Sequence, residues 1–353
     1  MDNRIADFAK LIVTTSTSVK RGENVLIQIT DEGRDLATEI YKEVVRAGAH
    51  PLIITTPSEA MRGYYEIADD DTLVAVPNHY FQLIKNSDVI IFIRSESNTK
   101  NLNSIDPNRI STRNKALKDI REERLSKRWC LTQYPTVGYA QDAEMSLKEY
   151  QDFVYSAILI DWNSQYETMK RLKEIMDRTD KVRLIGLETD LTFSIKGRNA
   201  VVGGPIHNVP GGEVFTAPIE DSAEGKILFD LPSVRYGREV EGIRLKFEKG
   251  EVVDYSAEKN VEVLKRMIET DDGAKRLGEL GIGTNRGIKK YTKNILFDEK
   301  IGDTIHLALG RSYKECGGQN DSAIHLDMIK TMKPGKIIMD GLTIQENGKF
   351  FWE

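Results

Sequence analysis

Residues 23–56 read ENVLIQITDEGRDLATEIYKEVVRAGAHPLIITT, and the order of patterns in this stretch decides the first half of the fold. ENVLIQIT (23–30) is an apolar run of strand length. DEGRDLATEIYKEVVRAG (31–48) spaces its apolar residues along one helix face, with Asp31 placed as N-cap and Gly48 at the end. PLIITT (51–56) is a second strand. Strand, helix and strand in that order make a βαβ unit, which sets the two strands parallel and close together. DVIIFIRS (88–95) and WCLTQYP (129–135) continue the alternation, and their apolar runs suit buried parallel strands. RNKALKDIREERLSKR (113–128) reads as a charged, solvated helix; its interleaved acids argue against a nucleic-acid patch.

SLKEYQDFVYSAILIDWNSQYETMKRLKEIMDRTD (146–180) has no strong breaker and reads as one long helical region bridging two halves. The texture then changes. VRLIGLETDLTFSIKGR (182–198), GKILFDLPSVRYG (225–237) and IRLKFEKGEVVDYSAE (243–258) are short alternating segments, separated by turns such as Lys249-Gly250. They predict an antiparallel, mainly β region. AEKNVEVLKRMIETDDGAKRLGEL (257–280) reads as helix. Strands return in DTIHLALG, AIHLDMI and GKIIMDGLTIQENGKFFW, with ENGK (346–349) as a hairpin turn. The expected architecture is an α/β domain with a mainly parallel sheet over residues 1–160, followed by an α+β domain over residues 161–353.

Composition narrows the function classes. The chain has 353 residues, 40% apolar and 30% charged, with a formal net charge of -5. That balance gives a substantial core and an evenly mixed surface, which argues against nucleic-acid and membrane-surface partners. The two cysteines, Cys130 and Cys316, stand far apart without CxxC spacing, so neither a disulfide framework nor a cysteine zinc site is expected. Ile5, Phe8, Leu11 and Ile12 have helical spacing near the N-terminus, interrupted by Asp7, which is not a signal-peptide pattern. No stretch approaches the roughly 18 apolar residues of a membrane helix. A cytoplasmic enzyme is the expectation.

Neither GxxxxGK[ST], HExxH nor GxSxG occurs. QITDEGRD follows a strand, but Asp31, Glu32 and Asp35 would repel a phosphate. Chemistry is better sought among the five histidines. His306 in TIHLALG and His325 in AIHLDMI sit on similar apolar strands, and Asp327 shares the face of His325. An aspartate buried there is costly without a counter-charge. Imidazole and carboxylate together suit zinc, manganese, cobalt or iron. Two glutamates have unusual settings. Glu213 follows the Pro-Gly-Gly turn of NVPGGEVFTAP (208–218). Glu279, in RLGELGIGTN (276–285), falls at the end of the expected helix, where the dipole disfavours a carboxylate and a positive partner is expected.

NVPGGEVFTAP, LGELGIGTN, IHLALGRSY and HLD, in this order, resemble the M29 family of metallo-aminopeptidases, the aminopeptidase T-like, leucyl aminopeptidase-type family. TDLTFSIKGR (189–198) and PIEDSAEGKILFD (218–230) are similar to it too. The resemblance implies two co-catalytic divalent metal ions (zinc, cobalt, manganese or magnesium), peptide substrates and a homodimer. Carried over by position, Glu213 matches the metal-bridging glutamate, and Glu279 a ligand and general base. His306 matches the first histidine ligand, Tyr313 the active-site tyrosine, expected to ligate a metal or donate to the oxyanion, and His325 and Asp327 the closing ligand pair, with Asp327 expected to bridge. The family's further acidic ligand before the first histidine corresponds to Glu299 or Asp298. A rival resemblance is to 2,5-dihydroxypyridine ring-cleaving dioxygenases, in which His306, His325 and Asp327 would hold a single iron. A metal-binding relative without catalysis is the third alternative.

Overall fold

A computed structural model describes residues 2–235 and 238–353. The chain forms two compact units: Met1–Leu159 with Pro205–Gly211, and Ile160–Gly204 with Gly212–Glu353. In chain order the strands are β1 (Asn24–Ile29), β2 (His50–Thr55), β3 (Val89–Arg94), β4 (Arg128–Gln133), β5 (Lys181–Gly186), β6 (Thr189–Ser194), β7 (Val201–Gly203), β8 (Asn208–Val209), β9 (Glu213–Thr216) and β10 (Glu224–Phe229). There follow β11 (Ser233–Arg235), β12 (Arg238–Val240), β13 (Ile243–Glu248), β14 (Glu251–Ser256), β15 (Leu277–Gly283), β16 (Thr304–Gly310), β17 (His325–Thr331), β18 (Gly335–Met339), β19 (Leu342–Glu346) and β20 (Lys349–Phe350).

The first unit is the α/β domain that the 23–56 pattern predicts. Its sheet has the order β2-β1-β3-β4-β8, and every pairing in it is parallel. The helix Arg34–Arg46 makes the crossover from β1 to β2. Asp31 is not its cap, because Gly33 takes that position. The Asp31 carboxylate instead accepts from the backbone N–H and hydroxyl of both Ser58 and Ser97, tying together two loops that follow other strands. The charged run 113–128 divides between the helices Pro107–Ala116 and Lys118–Leu125. The long region 146–180 divides too, into Leu147–Ile158 and Trp162–Met176. Asp161 supplies the break: its carboxylate accepts from the N–H groups of Asn163 and Ser164, starting a new helix where the chain leaves the first unit.

The second unit is α+β. One sheet has the order β14-β13-β10-β6-β5-β18-β19-β20, and the other β17-β16-β15-β9-β7; all their pairings are antiparallel. The ENGK hairpin forms as expected between β19 and β20, with Asn347 and Gly348 both at positive φ. The helix expected over 257–280 is shorter, spanning Val261–Ile268. Asp271 then caps a short 3-10 turn, Asp272–Lys275, through the N–H of Ala274, and β15 begins at Leu277. Glu279 therefore lies within a strand, and no helix dipole acts on it.

The β17-β16-β15-β9-β7 sheet of the second unit is two-faced, as period-2 alternation requires. Val214, Leu280, Ile282, Ile305, Leu307, Leu309, Leu326 and Met328 point into the main apolar core. The intervening residues of the same strands form the other face. Among the described residues, no helix is long and apolar enough to cross a membrane.

Candidate metal centre

The polar face of the β17-β16-β15-β9-β7 sheet gathers Glu213, Glu279, His306, His325 and Asp327, and Glu299 comes from the end of the helix Ile295–Asp298. Antiparallel register sets Gly283 opposite Glu213, Gly281 opposite both Phe215 and His306, and Ala308 opposite both Glu279 and Asp327. Positions between the candidates are thus glycine or alanine. At Gly281 the reason is steric: a Cβ there would lie 1.9 Å from Cε1 and 2.1 Å from Nε2 of His306. The imidazole lies across the strand where a side chain would be.

Glu279 is central. Its Oε1 is 3.4 Å from His306 Nε2, and its Oε2 is 3.0 Å from His325 Nε2. Glu213 Oε2 is 3.5 Å from His306 Nε2, and Asp327 Oδ1 is 3.2 Å from His325 Nε2. Three groups have ligand atoms all within 4.8 Å of one another: Glu213, Glu279 and His306; Glu279, His325 and Asp327; Glu299, His306 and Asp327. Six of the seven residues expected to bind metal thus come together. The seventh, Tyr313, stands at the rim. Its ring is tilted between Phe215 and His325, with centroids 5.5 and 5.2 Å away, and the residue is 40% exposed.

Main-chain carbonyls orient both imidazoles. His306 Nδ1 lies 3.1 Å from the carbonyl of Glu299, and His325 Nδ1 lies 2.7 Å from that of Arg311. An Nδ1–H that donates to a carbonyl turns Nε2 towards the carboxylates, the usual support of a metal-ligating histidine. Burial disfavours charge on His306, yet the hydrogen bond and charge of Glu279, with Glu213 and Glu299 nearby, hold it up to about 10. Burial likewise opposes charge on His325, but Asp327 and Glu279 hold it up to about 11. Burial pushes Glu213 up to about 7 against the pull of Lys300. Glu279, though buried, is held below the ordinary carboxylate value by the two histidines. Four carboxylates and two aligned imidazoles form an oxygen- and nitrogen-donor set, and this chemistry fits divalent cations.

Of Asp298 and Glu299, the two acids that could match the family's ligand before the first histidine, only Glu299 faces the cluster. Asp298 is buried elsewhere: its carboxylate accepts from the N–H and hydroxyl of Thr292 and from the N–H of Asn294. That burial pushes Asp298 up to about 7, and its bonds mark it as a loop anchor. His50, His79 and His207 belong to the first unit. Sequence patterns missed Lys300. Its side chain is 1% exposed, with Nζ 3.6 Å from Glu213 Oε1 and in closer contact with Glu299. It sits in a short helix-to-strand connection, where no periodicity signals burial.

Similarity to known proteins runs the length of the chain. The family model described as thermophilic metalloprotease (M29) matches residues 1–350. Aminopeptidase 2 of Geobacillus stearothermophilus is 26% identical, with 97% of this chain and 94% of that protein covered. Aminopeptidase T of Thermus thermophilus is 24% identical, with 90% of each covered. The solved structure of wild-type AmpT from Thermus thermophilus superposes with a TM-score of 0.87 over 99% of each chain, at 23% identity. At that identity the structural likeness speaks for the fold.

Proposed function

The chain belongs to the M29 family of thermophilic metalloproteases, and from that premise we propose that it is an aminopeptidase that releases N-terminal residues from peptides with two divalent cations. The observation that carries the proposal is the carboxylate of Glu279 between two imidazoles, each with a further carboxylate at its Nε2. Glu213 and Glu299 group with His306, while His325 groups with Glu279 and Asp327. Glu279 and Asp327 belong to groups on both sides, so with Glu213, Glu299, His306 and His325 they would hold the cations. A single-iron dioxygenase needs only two histidines and one carboxylate, so Glu213, Glu279 and Glu299 would be surplus.

Bound divalent cations supply Lewis acidity and bring the pKa of a bound water to about 7. The chain's own groups do the rest. Glu279 takes the proton as the water oxygen adds to the peptide carbonyl carbon, then passes it to the leaving nitrogen as the C–N bond breaks. Burial and the surrounding carboxylates raise Tyr313 above the ordinary phenol value, so its hydroxyl keeps its proton and donates to the developing oxyanion. The Nδ1 bonds to Glu299 and Arg311 hold the rings still while this happens. A cation or an acidic side chain at the site would read the free amine of a peptide N-terminus and so favour exopeptidase action. We take the active assembly to be a homodimer, which light scattering checks.

The test pairs composition with activity. Elemental analysis of the reconstituted protein should find two zinc, cobalt or manganese ions per chain, and Glu279→Gln or His325→Ala should abolish hydrolysis of leucyl-p-nitroanilide. One ferrous iron per chain, with oxygen uptake on a dihydroxypyridine, would establish the dioxygenase instead. Undiminished hydrolysis by both variants would remove these residues from the mechanism.

A further inference from the structure

Lys300 is a buried cation inside a cluster read as a cation site. Its contacts are one-sided. Nζ approaches Glu213 and Glu299, and both of these carboxylates belong to the His306 side of the cluster. His325 is in neither group that holds Glu213 or Glu299, although it shares Glu279 and Asp327 with them.

The lysine's backbone is pinned from both directions. The N–H of Lys300 donates to the carbonyl of Phe297 at 3.0 Å, and its carbonyl accepts from the N–H of Asn285 at 2.9 Å. Asp298, two residues before, anchors the loop through Thr292 and Asn294. Gly283 lets the segment lie against β15: a Cβ there would come within 2.1 Å of the carbonyl oxygen of Ile301 and 2.9 Å of the carbonyl carbon of Lys300. With its main chain fixed and its stem enclosed, the ammonium has little room to leave the two carboxylates.

We propose that Lys300 is a built-in competitor of the His306-side cation, so that the two metal positions load in sequence. The inference rests on the two-cation function proposed above. The His325-side position, free of contact with the lysine, fills first. The second cation must share Glu213 and Glu299 with the Lys300 ammonium, and repulsion between the two positive charges weakens it. Without metal, the same ammonium offsets part of the charge of two buried carboxylates and so eases their mutual repulsion.

The experiment is a calorimetric titration of metal-free full-length protein with zinc, with bound metal counted by elemental analysis. The wild type should show one tight site and a second weaker by about tenfold or more, within the range of a coupling between two binding sites. Lys300→Met should tighten the second site by a similar factor, leave the first unchanged and lower the Tm of the metal-free protein. Lys300→Arg, which keeps the charge, should retain the gap, and Lys300→Gln should repeat the effect of Met if the Met variant fails to fold. Two equal sites in the wild type, or a second site that Met and Gln leave unchanged or weaken, would overturn the role of Lys300 with two-metal binding intact. Failure of the wild type to bind any of zinc, cobalt or manganese would overturn the functional proposal itself.

Discussion

Replacing Gly281 by alanine adds one methyl group at the point where the site is most tightly built. The new Cβ would lie 1.9 Å from Cε1, 2.1 Å from Nε2 and 2.7 Å from Nδ1 of His306. Ordinary carbon contacts are about 3.5–4.0 Å, so the ring must retreat by roughly 1.5 Å. It cannot do so freely, because the residue is 1% exposed and its Nδ1 is tied to the carbonyl of Glu299. Gly281 has no positive φ, so backbone strain adds nothing and the perturbation is steric. Overpacking of this kind costs about 1–3 kcal/mol of stability. A displacement of about 1 Å at a reacting centre costs on the order of a hundredfold in rate. Gly281→Ala should therefore lose roughly two orders of magnitude in kcat/KM on leucyl-p-nitroanilide and bind one cation more weakly, with a Tm lowered by a few degrees. Gly63→Ala is the control: it lies in the helix Ser58–Ile67, and its Cβ would meet nothing within 4 Å. It should leave activity unchanged and leave stability equal or higher. Full metal affinity and full activity in Gly281→Ala would refute the placement of His306 as a ligand.

Metal affinity should depend on pH with a definite sign. With His306 held at about 10 and His325 at about 11, the metal-free protein carries extra protons at neutral pH that a cation must expel. Affinity should rise with pH by about tenfold per unit for each proton released, and titrations in buffers of different ionisation heat should count those protons. Because both values are raised, the stability these rings give the metal-free protein is complete below the unfolded value of about 6.5 and lost as pH rises through 10 to 11, so its Tm should fall over that interval. Tyr313→Phe keeps the ring against Phe215 and His325 but removes the hydroxyl, and should lower kcat by about a hundredfold with metal content unchanged. Arg198 is buried and donates from Nη2 to both oxygens of Glu220, at 2.8 and 2.7 Å, while Glu220 also accepts from the N–H of Gln319 in the Tyr313 loop. Arg198→Ala should cost about 2–4 kcal/mol in urea denaturation.

Local pattern made much of this legible. The βαβ order of residues 23–56 announces the parallel sheet, and TIHLALG and AIHLDMI alternate so plainly that the histidines and Asp327 fall on one face. What failed was everything that depends on distant contacts. Nothing local to 257–280 says that helix ends at Ile268, since the capping turn at Asp271 is secured by Ser322 and Ala323, about fifty residues away. The two residues Asn208 and Val209, which extend the first unit's sheet beside β4, are too few to show any period. Lys300 was invisible because lysine is common and its burial follows from the loop that Asp298 anchors. Glu279 is legible from its family motif, but its setting is a strand and not the expected helix end: Gly281 leaves room for the His306 imidazole, and Gly278 for the backbone of Gly310 and Arg311.

The most direct test of a metal-dependent aminopeptidase compares a short peptide bearing a free N-terminus with its N-acetylated counterpart, before and after chelation. The expected result is stepwise release of N-terminal residues from the free peptide only, abolished by the chelator and restored by zinc, cobalt or manganese. Equal cleavage of the acetylated peptide, or hydrolysis that persists in protein stripped of metal, would contradict it.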